Sequence, residues 1–525
     1  MLITEMLARN ARMYPDEPAL VERDPNRNLR KEITWKAFDR QSNQMANALM
    51  TMGVKKGDRV ILLMTNCIEW LPIYFGILRT GAWAVPLNFR FDAETILHCA
   101  MVSEAKVLIF GEEFIERIES IKPDLDPVVS NYVFSGPRLL CPNYAAYYEA
   151  FIQGQDGTDP KVKIGLTDEA ALYFTSGTTG IPKAVLITHR NLEFAAYVEN
   201  CHHRQTHEDN FLCIPPLYHT GAKMHWFGNL IVGARAVILK GIDPRSILEA
   251  VSEEGISVVW LLVPWALDIL FAIESGEIKL SSYRLDRWRL MHIGAQPVPP
   301  SLIKEWKRVF PHHQYDTNYG LTETTGPGCV HLGMENEHKV GAIGVPGFDW
   351  EARIVDAQLN SVPPGTPGEL MVRGPGVMQC YYRNPEATAQ TLIDGWLLTG
   401  DVARRDEDGF IWLVDRKKDV IITGGENIYP VEIENFLQAH PRIQDVAVIG
   451  LPSLRLGEIA TAIIQVKPGQ TLGKEEIDAY CEDLPRYKRP RRIIFDVVPR
   501  NATGKIEKPK LRKKYAGSEE SFQIE

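Results

Sequence analysis

The run Tyr173-Phe-Thr-Ser-Gly-Thr-Thr-Gly-Ile-Pro-Lys-Ala184 is the densest concentration of phosphate-binding chemistry in the chain. A buried strand feeds a loop holding Thr175, Ser176, Gly177, Thr178, Thr179 and Gly180, and Lys183 follows before a second strand. Glycines let a backbone turn tightly and bring its N–H groups close to an anion. The hydroxyls add donors for phosphate oxygens, and Lys183 adds a mobile positive charge. The loop is not a Walker A element, because Gly177 and Lys183 lie six positions apart, Ala184 follows the lysine, and a strand comes next. On its own, such a Ser/Thr/Gly turn also reads as an ordinary hairpin.

Further runs place the loop in company. Asn318-Tyr-Gly-Leu-Thr-Glu-Thr324 joins an aromatic face suited to a purine with a carboxylate suited to a hard cation. Together the runs closely resemble the adenylate-forming superfamily of acyl-CoA synthetases, luciferases and peptide-synthetase adenylation domains, over nearly the whole chain. The resemblance implies that Tyr319 stacks on adenine, Thr322 touches phosphate, and Glu323, with Thr178, holds Mg²⁺. Asn318 and Gly320 complete that motif, and Gly294-Ala295-Gln296-Pro297 resembles the other wall of the adenine slot. Trp396-Leu-Leu-Thr-Gly-Asp401 resembles the ribose motif, with Asp401 accepting from both ribose hydroxyls. Asp415-Arg-Lys-Lys-Asp419 resembles the junction between large and small domains, with Arg416 near ribose and phosphate and Lys418 as the hinge. Alone, those basic residues read as a solvated charge run. Gly424 and Gly425 match a turn lining the pantetheine tunnel, and Pro499–Lys505 matches the motif whose lysine, Lys505, serves adenylation. His219 matches a position beside the acyl carboxylate, with a satisfied core histidine as the alternative. Met224 and Trp226, with Gly294 and Gly320, are expected at the acyl pocket. Ala184 departs from the glycine usual after the loop lysine, a cost of about 1 kcal/mol or more if that position needs positive φ.

The elements needed to position these groups are visible as alternation. Apolar runs at Arg59–Met64, Lys106–Phe110, Ala171–Phe174, Ala184–His189, Ala234–Leu239, Ser257–Val263 and Trp288–Ile293 read as strands. Helical patterns at Ile68–Trp83, Pro244–Glu254 and Ser301–Phe310 intervene, which predicts α/β architecture with largely parallel sheets. After Ile343, short strands between Pro/Gly turns suggest an antiparallel sheet or small barrel. The resemblance implies a large N-terminal domain (residues 1–415) of two α/β subdomains plus a small β-barrel-like subdomain. A small mobile α+β C-terminal domain (residues 416–525) would follow.

Composition narrows the rest. The 525 residues are 45% hydrophobic and 24% charged, an ordinary soluble balance that excludes disordered, collagenous and disulfide-stapled chains. Lys plus Arg is 58 and Asp plus Glu is 67, so the net charge of −9 speaks against general nucleic-acid binding. Residues 482–514 nevertheless hold twelve Lys/Arg against four Asp/Glu, either a solvated face or a patch for a polyanion. Eight scattered cysteines without a CxxC pair suggest reduced thiols, hence the cytoplasm. The most apolar stretch, Val258–Ile273, is 16 residues long and contains Pro264 and Asp268, too short to span a bilayer. His202, His203 and His207 lack accompanying Cys or carboxylate spacing, so zinc is not expected there. The implied activity is an AMP-forming carboxylate:CoA ligase using ATP, Mg²⁺ and coenzyme A. Its acid would be medium-chain fatty, cyclic or aromatic. Loading of a carrier protein, a carnitine-type substrate, and a silent nucleotide-binding regulator are the alternatives, and a homodimer stays open.

Overall fold

The protein is described here from a computed structural model covering residues 1–175, 182–294, 298–333, 336–423, 426–453, 455–501 and 504–516. Two sheets dominate it. One eight-stranded sheet runs, in spatial order, Cys380–Tyr381, Lys183–Thr188, Glu169–Thr175, Trp83–Pro86, Arg59–Leu63, Val107–Gly111, Asn131–Ser135 and Ala145–Tyr147. A seven-stranded sheet runs Gln314–Asp316, Leu290–Gly294, Val258–Leu262, Asn210–Cys213, Arg235–Leu239, Pro18–Asp24 and Leu29–Thr34. Both are mainly parallel, as the alternation predicts, and Val60–Leu63 and Val107–Phe110 are fully buried because helices cover both faces.

Strand Lys183–Thr188 is an exception, antiparallel to Glu169–Thr175. The connection between them is too short for a crossover helix, so the chain can only turn back. Ala184 lies in that regular ladder opposite Phe174 and is buried, so its methyl needs no left-handed backbone. The N-terminus holds a contribution invisible in the local pattern. Helix Ile3–Met13 is followed by Pro18–Asp24, which enters the second sheet beside Arg235–Leu239.

Beyond Glu351 the expected antiparallel sheet is present, with Trp396–Arg405 pairing Gly368–Arg373 on one side and Ile411–Arg416 on the other. The C-terminal sheet is built on the long hairpin Ile443–Ser453 and Gly457–Val466, with Ile421–Thr423 and Arg492–Phe495 alongside. Helix Pro430–Gln438 packs on it, and its Val431 N–H donates to the Asp415 carboxylate at 3.0 Å. An anion at a helix N-terminus is stabilised by the orphan amides and the dipole. Asp415 therefore ties the end of one sheet to the start of the next, although burial raises its pKa to about 6.

Several histidines were folded away from water. Burial lowers His313 to about 3 and His189 to about 4, so both are neutral in the fold. In the unfolded chain such groups protonate near 6.5, so stability is intact above that value and is lost as pH falls through it. By pH 5 each should cost roughly 2 kcal/mol. Denaturant titrations at pH 7.5 and pH 5 on wild type and His313→Asn check this: the variant should lose about 2 kcal/mol less over the interval. An unchanged pH slope would mean that His313 is charged in the fold.

Candidate active site

Sequence-distant side chains converge at the carboxyl ends of the second sheet, where open α/β sheets place their ligands. Asn318–Tyr319 is a short strand, and its tyrosine hydroxyl donates to Asp401 Oδ2. Asp401 is 3% exposed and carries Arg416 on its other oxygen, Nε to Oδ1 at 2.6 Å. Burial raises the Asp401 pKa even against the neighbouring guanidinium. A carboxylate held on one side by phenol and on the other by arginine is oriented before any ligand arrives. Gly320 is required here, since a methyl would meet the Gly326 carbonyl oxygen at 2.4 Å.

The one-turn helix Thr322–Thr324 presents Glu323. Its Oε1 accepts from the Tyr381 hydroxyl at 2.7 Å, and Lys183 Nζ lies 4.9 Å from the centre of the same Tyr381 ring. Tyr381 thus links the start of the loop-bearing strand to the acid. Nothing local in the sequence marks it, because its partner is 58 residues away. A half-buried carboxylate with one oxygen steadied by a phenol is a hard-oxygen donor of the kind Mg²⁺ takes. Glu323→Gln keeps the Tyr381 contact and removes the charge, so adenylation should fall most at limiting Mg²⁺ and recover partly as Mg²⁺ rises. A rate that matches wild type at every Mg²⁺ concentration would take Glu323 out of the metal site.

Lys505 reaches the cluster from the opposite end of the chain. Its turn is closed by Lys505 N–H to Asn501 Oδ1 at 2.9 Å, and Arg500 is clamped on Asp445 at 2.6 Å. Gly504 abuts Leu262, at the end of the strand Val258–Leu262. The Lys505 ammonium is pushed down by burial first and by Arg416 second, while Asp401 and Glu323 pull it back up. One lysine, one arginine and two carboxylates therefore share a single electrostatic environment.

His219 caps helix Thr220–Val232, its Nδ1 accepting from the Gly221 N–H at 3.1 Å. That bond leaves the proton on Nε2. Burial and then the Lys505 charge lower its pKa to about 3, so it is a neutral donor beside the lysine. Its backbone carbonyl and that of Leu217 face the buried Lys223 Nζ, at 3.4 and 2.7 Å. That Nζ is enclosed by the rings of Trp70, Tyr74 and Tyr173, and burial pushes its pKa well down. Lys223 thereby positions the His219 turn from behind, a role that sequence reading missed.

The structure places Trp226 with its ring packed against Phe38, Phe75 and Phe227 in the main core. Met224 is buried in the same cluster, as are Trp260 and Tyr319. The face of the helix turned to the sheet carries His225 instead, stacked on Trp260 at 4.3 Å. Trp260, like Leu262 above it, and His292, like Gly294 above it, share that face of the paired strands Val258–Leu262 and Leu290–Gly294. Ser176, Gly177, Thr178, Thr179, Gly180, Ala295, Gln296, Pro297, Gly424 and Gly425 lie outside the described residues. Thr175 ends its strand opposite Lys183, and Thr322 opens the turn of Glu323. Lys418 lies in the turn after Arg416, half-desolvated with its pKa lowered by burial.

The family model described as AMP-binding enzyme matches residues 7–382, and that of the AMP-binding enzyme C-terminal domain matches residues 432–505. The chain belongs to the AMP-binding enzyme family, as an AMP-forming acyl-CoA synthetase working with ATP, Mg²⁺ and CoA. It is 32% identical to a feruloyl-CoA synthase of Amycolatopsis sp, over 97% of this chain and 98% of that one. A long-chain-fatty-acid–CoA ligase of Mycobacterium tuberculosis is 31% identical, over 98% of both chains. Among solved structures, an anthranilate CoA ligase in complex with anthranoyl-AMP superposes with a TM-score of 0.89 at 27% identity, covering 98% of this chain and 97% of that one. Among the described residues, no helix is long and apolar enough to cross a membrane.

Proposed function

We propose that this ligase activates an aromatic or cyclic carboxylic acid, in the cytoplasm, with Lys505, Arg416, Glu323, Asp401 and His219 as its working groups. The observation that carries the substrate reading is the wall below Lys505. Down the sheet face from Leu262 stand Trp260 and His292, and His225 closes on the indole at an interplanar angle of 15°. Gly221 and Gly294 flank that indole, and the buried Trp260 N–H lacks a partner among the described residues. Flat walls with one unmet donor favour a flat acyl group bearing an acceptor. The feruloyl and anthranilate relatives act on acids of that shape.

In the first step a carboxylate oxygen attacks the α-phosphorus of ATP and pyrophosphate leaves. Lys505 stabilises the charge spread over the incoming carboxylate and the α-phosphate, Asp401 holds the ribose, and Tyr319 faces adenine. In the second, the CoA sulfur attacks the acyl carbon and AMP departs. The first step needs Lys505 in the site and the second needs room for the pantetheine arm. We therefore place the domain junction at Arg416–Asp419, between residues 1–415 and 416–525, with Lys418 as hinge. Lys418→Pro, which fixes φ, should leave acyl-AMP formation near normal and slow thioester formation. Equal survival of both half-reactions would move the hinge elsewhere.

The deciding assay is a panel of benzoic, cinnamic, cyclohexanecarboxylic, medium-chain fatty and betaine-type acids with MgATP and CoA, read as pyrophosphate and acyl-CoA mass. Aryl acids should lead in kcat/KM. A preference for straight-chain acids would overturn the substrate reading and leave the ligase chemistry standing.

A further inference from the structure

Beneath the acyl wall lies a second group of side chains that the ligase chemistry does not use. Glu199, His202 and His203 occupy the last turn of helix His189–His203 at i, i+3 and i+4, hence on one face. Glu199 and His203 are 0% exposed and His202 is 7% exposed. Among the described residues, Glu199 Oε2, His202 Nε2 and His203 Nδ1 have no hydrogen-bond partner, and one donor atom from each of the three residues lies within 4.8 Å of the others. The carboxylate oxygen is 3.2 Å from His203 Nδ1 and 3.8 Å from His202 Nε2.

The surrounding bonds assign the protons. His202 Nδ1 is 2.7 Å from the Val198 carbonyl, which can only accept, so that nitrogen carries the hydrogen and Nε2 a lone pair. His225 Nδ1 likewise donates to the Gly221 carbonyl, so its Nε2 accepts from His292 Nε2 at 2.7 Å. His292 Nδ1 is then an acceptor, and with Asp316 Oδ2 it faces His203 Nε2, both at 3.1 Å. His203 is protonated there and bare at Nδ1. Asn318 Nδ2 meanwhile donates to the other Glu199 oxygen at 3.2 Å. Two bare imidazole nitrogens and a Glu199 carboxyl oxygen thus lie side by side in the interior. Among the described residues, the ion pairs of Glu199 and Asp316 are all with histidines.

We propose that Glu199, His202 and His203 form a buried zinc-binding site, separate from the Mg²⁺ site at Glu323. Two nitrogens and an oxygen suit Zn²⁺, and bonds of about 2.0–2.1 Å would set neighbouring donors close to the separations seen. Each ligand has its outer partner: the Val198 carbonyl on His202, Asp316 on His203, Asn318 on Glu199. That arrangement orients metal ligands and fixes their tautomers. His207 takes no part, being stacked on Tyr14 and paired with Glu17. The ion would tie the helix end to the strands Leu290–Gly294 and Gln314–Asp316, and so brace His225, His292 and the acyl wall.

The test uses the full-length, untagged protein. Grown with zinc and dialysed against MgCl₂, wild type should retain about one zinc per chain by elemental mass spectrometry. Chelator-stripped protein should regain its Tm on adding ZnCl₂, and with CoCl₂ should develop visible absorption of a nitrogen–oxygen site. Glu199→Gln and His202→Asn should lose both responses, His207→Ala neither, and Asp316→Asn should weaken zinc about 10–100-fold. The wild-type measurements stand even if a variant fails to fold. Wild type that holds no zinc and shows neither a Tm response nor a cobalt spectrum overturns the site and leaves a hydrogen-bonded network, whatever its ligase activity.

Discussion

Acyl-AMP formation should fall by about 10²–10³ in Lys505→Ala, the usual cost of removing one preorganised group from a developing charge. The structure sets the ammonium among Arg416, Asp401 and Glu323 and next to the neutral His219. Its partial desolvation strengthens its field and means that no water shell need be stripped as the reaction proceeds. Thioester formation from synthetic acyl-AMP and CoA should stay near wild type, because the lysine would leave with the C-terminal domain. Stopped-flow measurement of pyrophosphate release, set beside CoA consumption from pre-made acyl-AMP, separates the two. Equal loss in both half-reactions would mean one fixed active site and no domain alternation.

Trp226→Ala should cost about 3–5 kcal/mol of stability, as deletion of a fully buried tryptophan generally does. Its ring meets Phe38 at 6.1 Å and Phe75 at 6.0 Å between centroids, bridging helix Thr220–Val232 to helices Trp35–Thr51 and Trp70–Arg79. The variant should unfold at a far lower denaturant concentration while the folded fraction keeps the acid preference of wild type. A changed preference with unchanged stability would return Trp226 to the acyl pocket. The paired control is Trp260→Ala, where the proposed wall predicts a change of preference.

The local elements were largely legible. Helix Pro244–Glu254 falls where the pattern puts it because its ends are written in the chain. Asp243 accepts from the Ser246 N–H, proline takes the first turn, and Gly255 adopts φ +60 beyond the last. Strands such as Arg59–Leu63 and Val107–Gly111 were equally plain, since a parallel sheet covered on both faces demands unbroken apolar runs. Helix Thr220–Val232 was not. Ala222, Met224, Trp226, Phe227 and Leu230 are all buried, so no polar stripe shows which face meets the substrate side. In helix His189–His203, Glu199 stands one turn before His202 and His203 in the sequence, whereas Asp316 reaches them only through folding.

By itself the sequence determined the family, many of the strands and helices, and the types of group that an adenylating ligase needs. Those are properties of short segments, fixed by periodicity, caps and turn residues within a few positions of one another. Only the tertiary structure decided that Tyr319 and Arg416 orient Asp401, that Tyr381 steadies Glu323, and that Lys505 sits in the field of Arg416, Asp401 and Glu323. It also decided that Trp226 packs on Phe38 in the core and that His225 stacks on Trp260. Contacts of that kind join residues tens to hundreds of positions apart. They follow from which faces pack together, and no local pattern along a single chain records that choice.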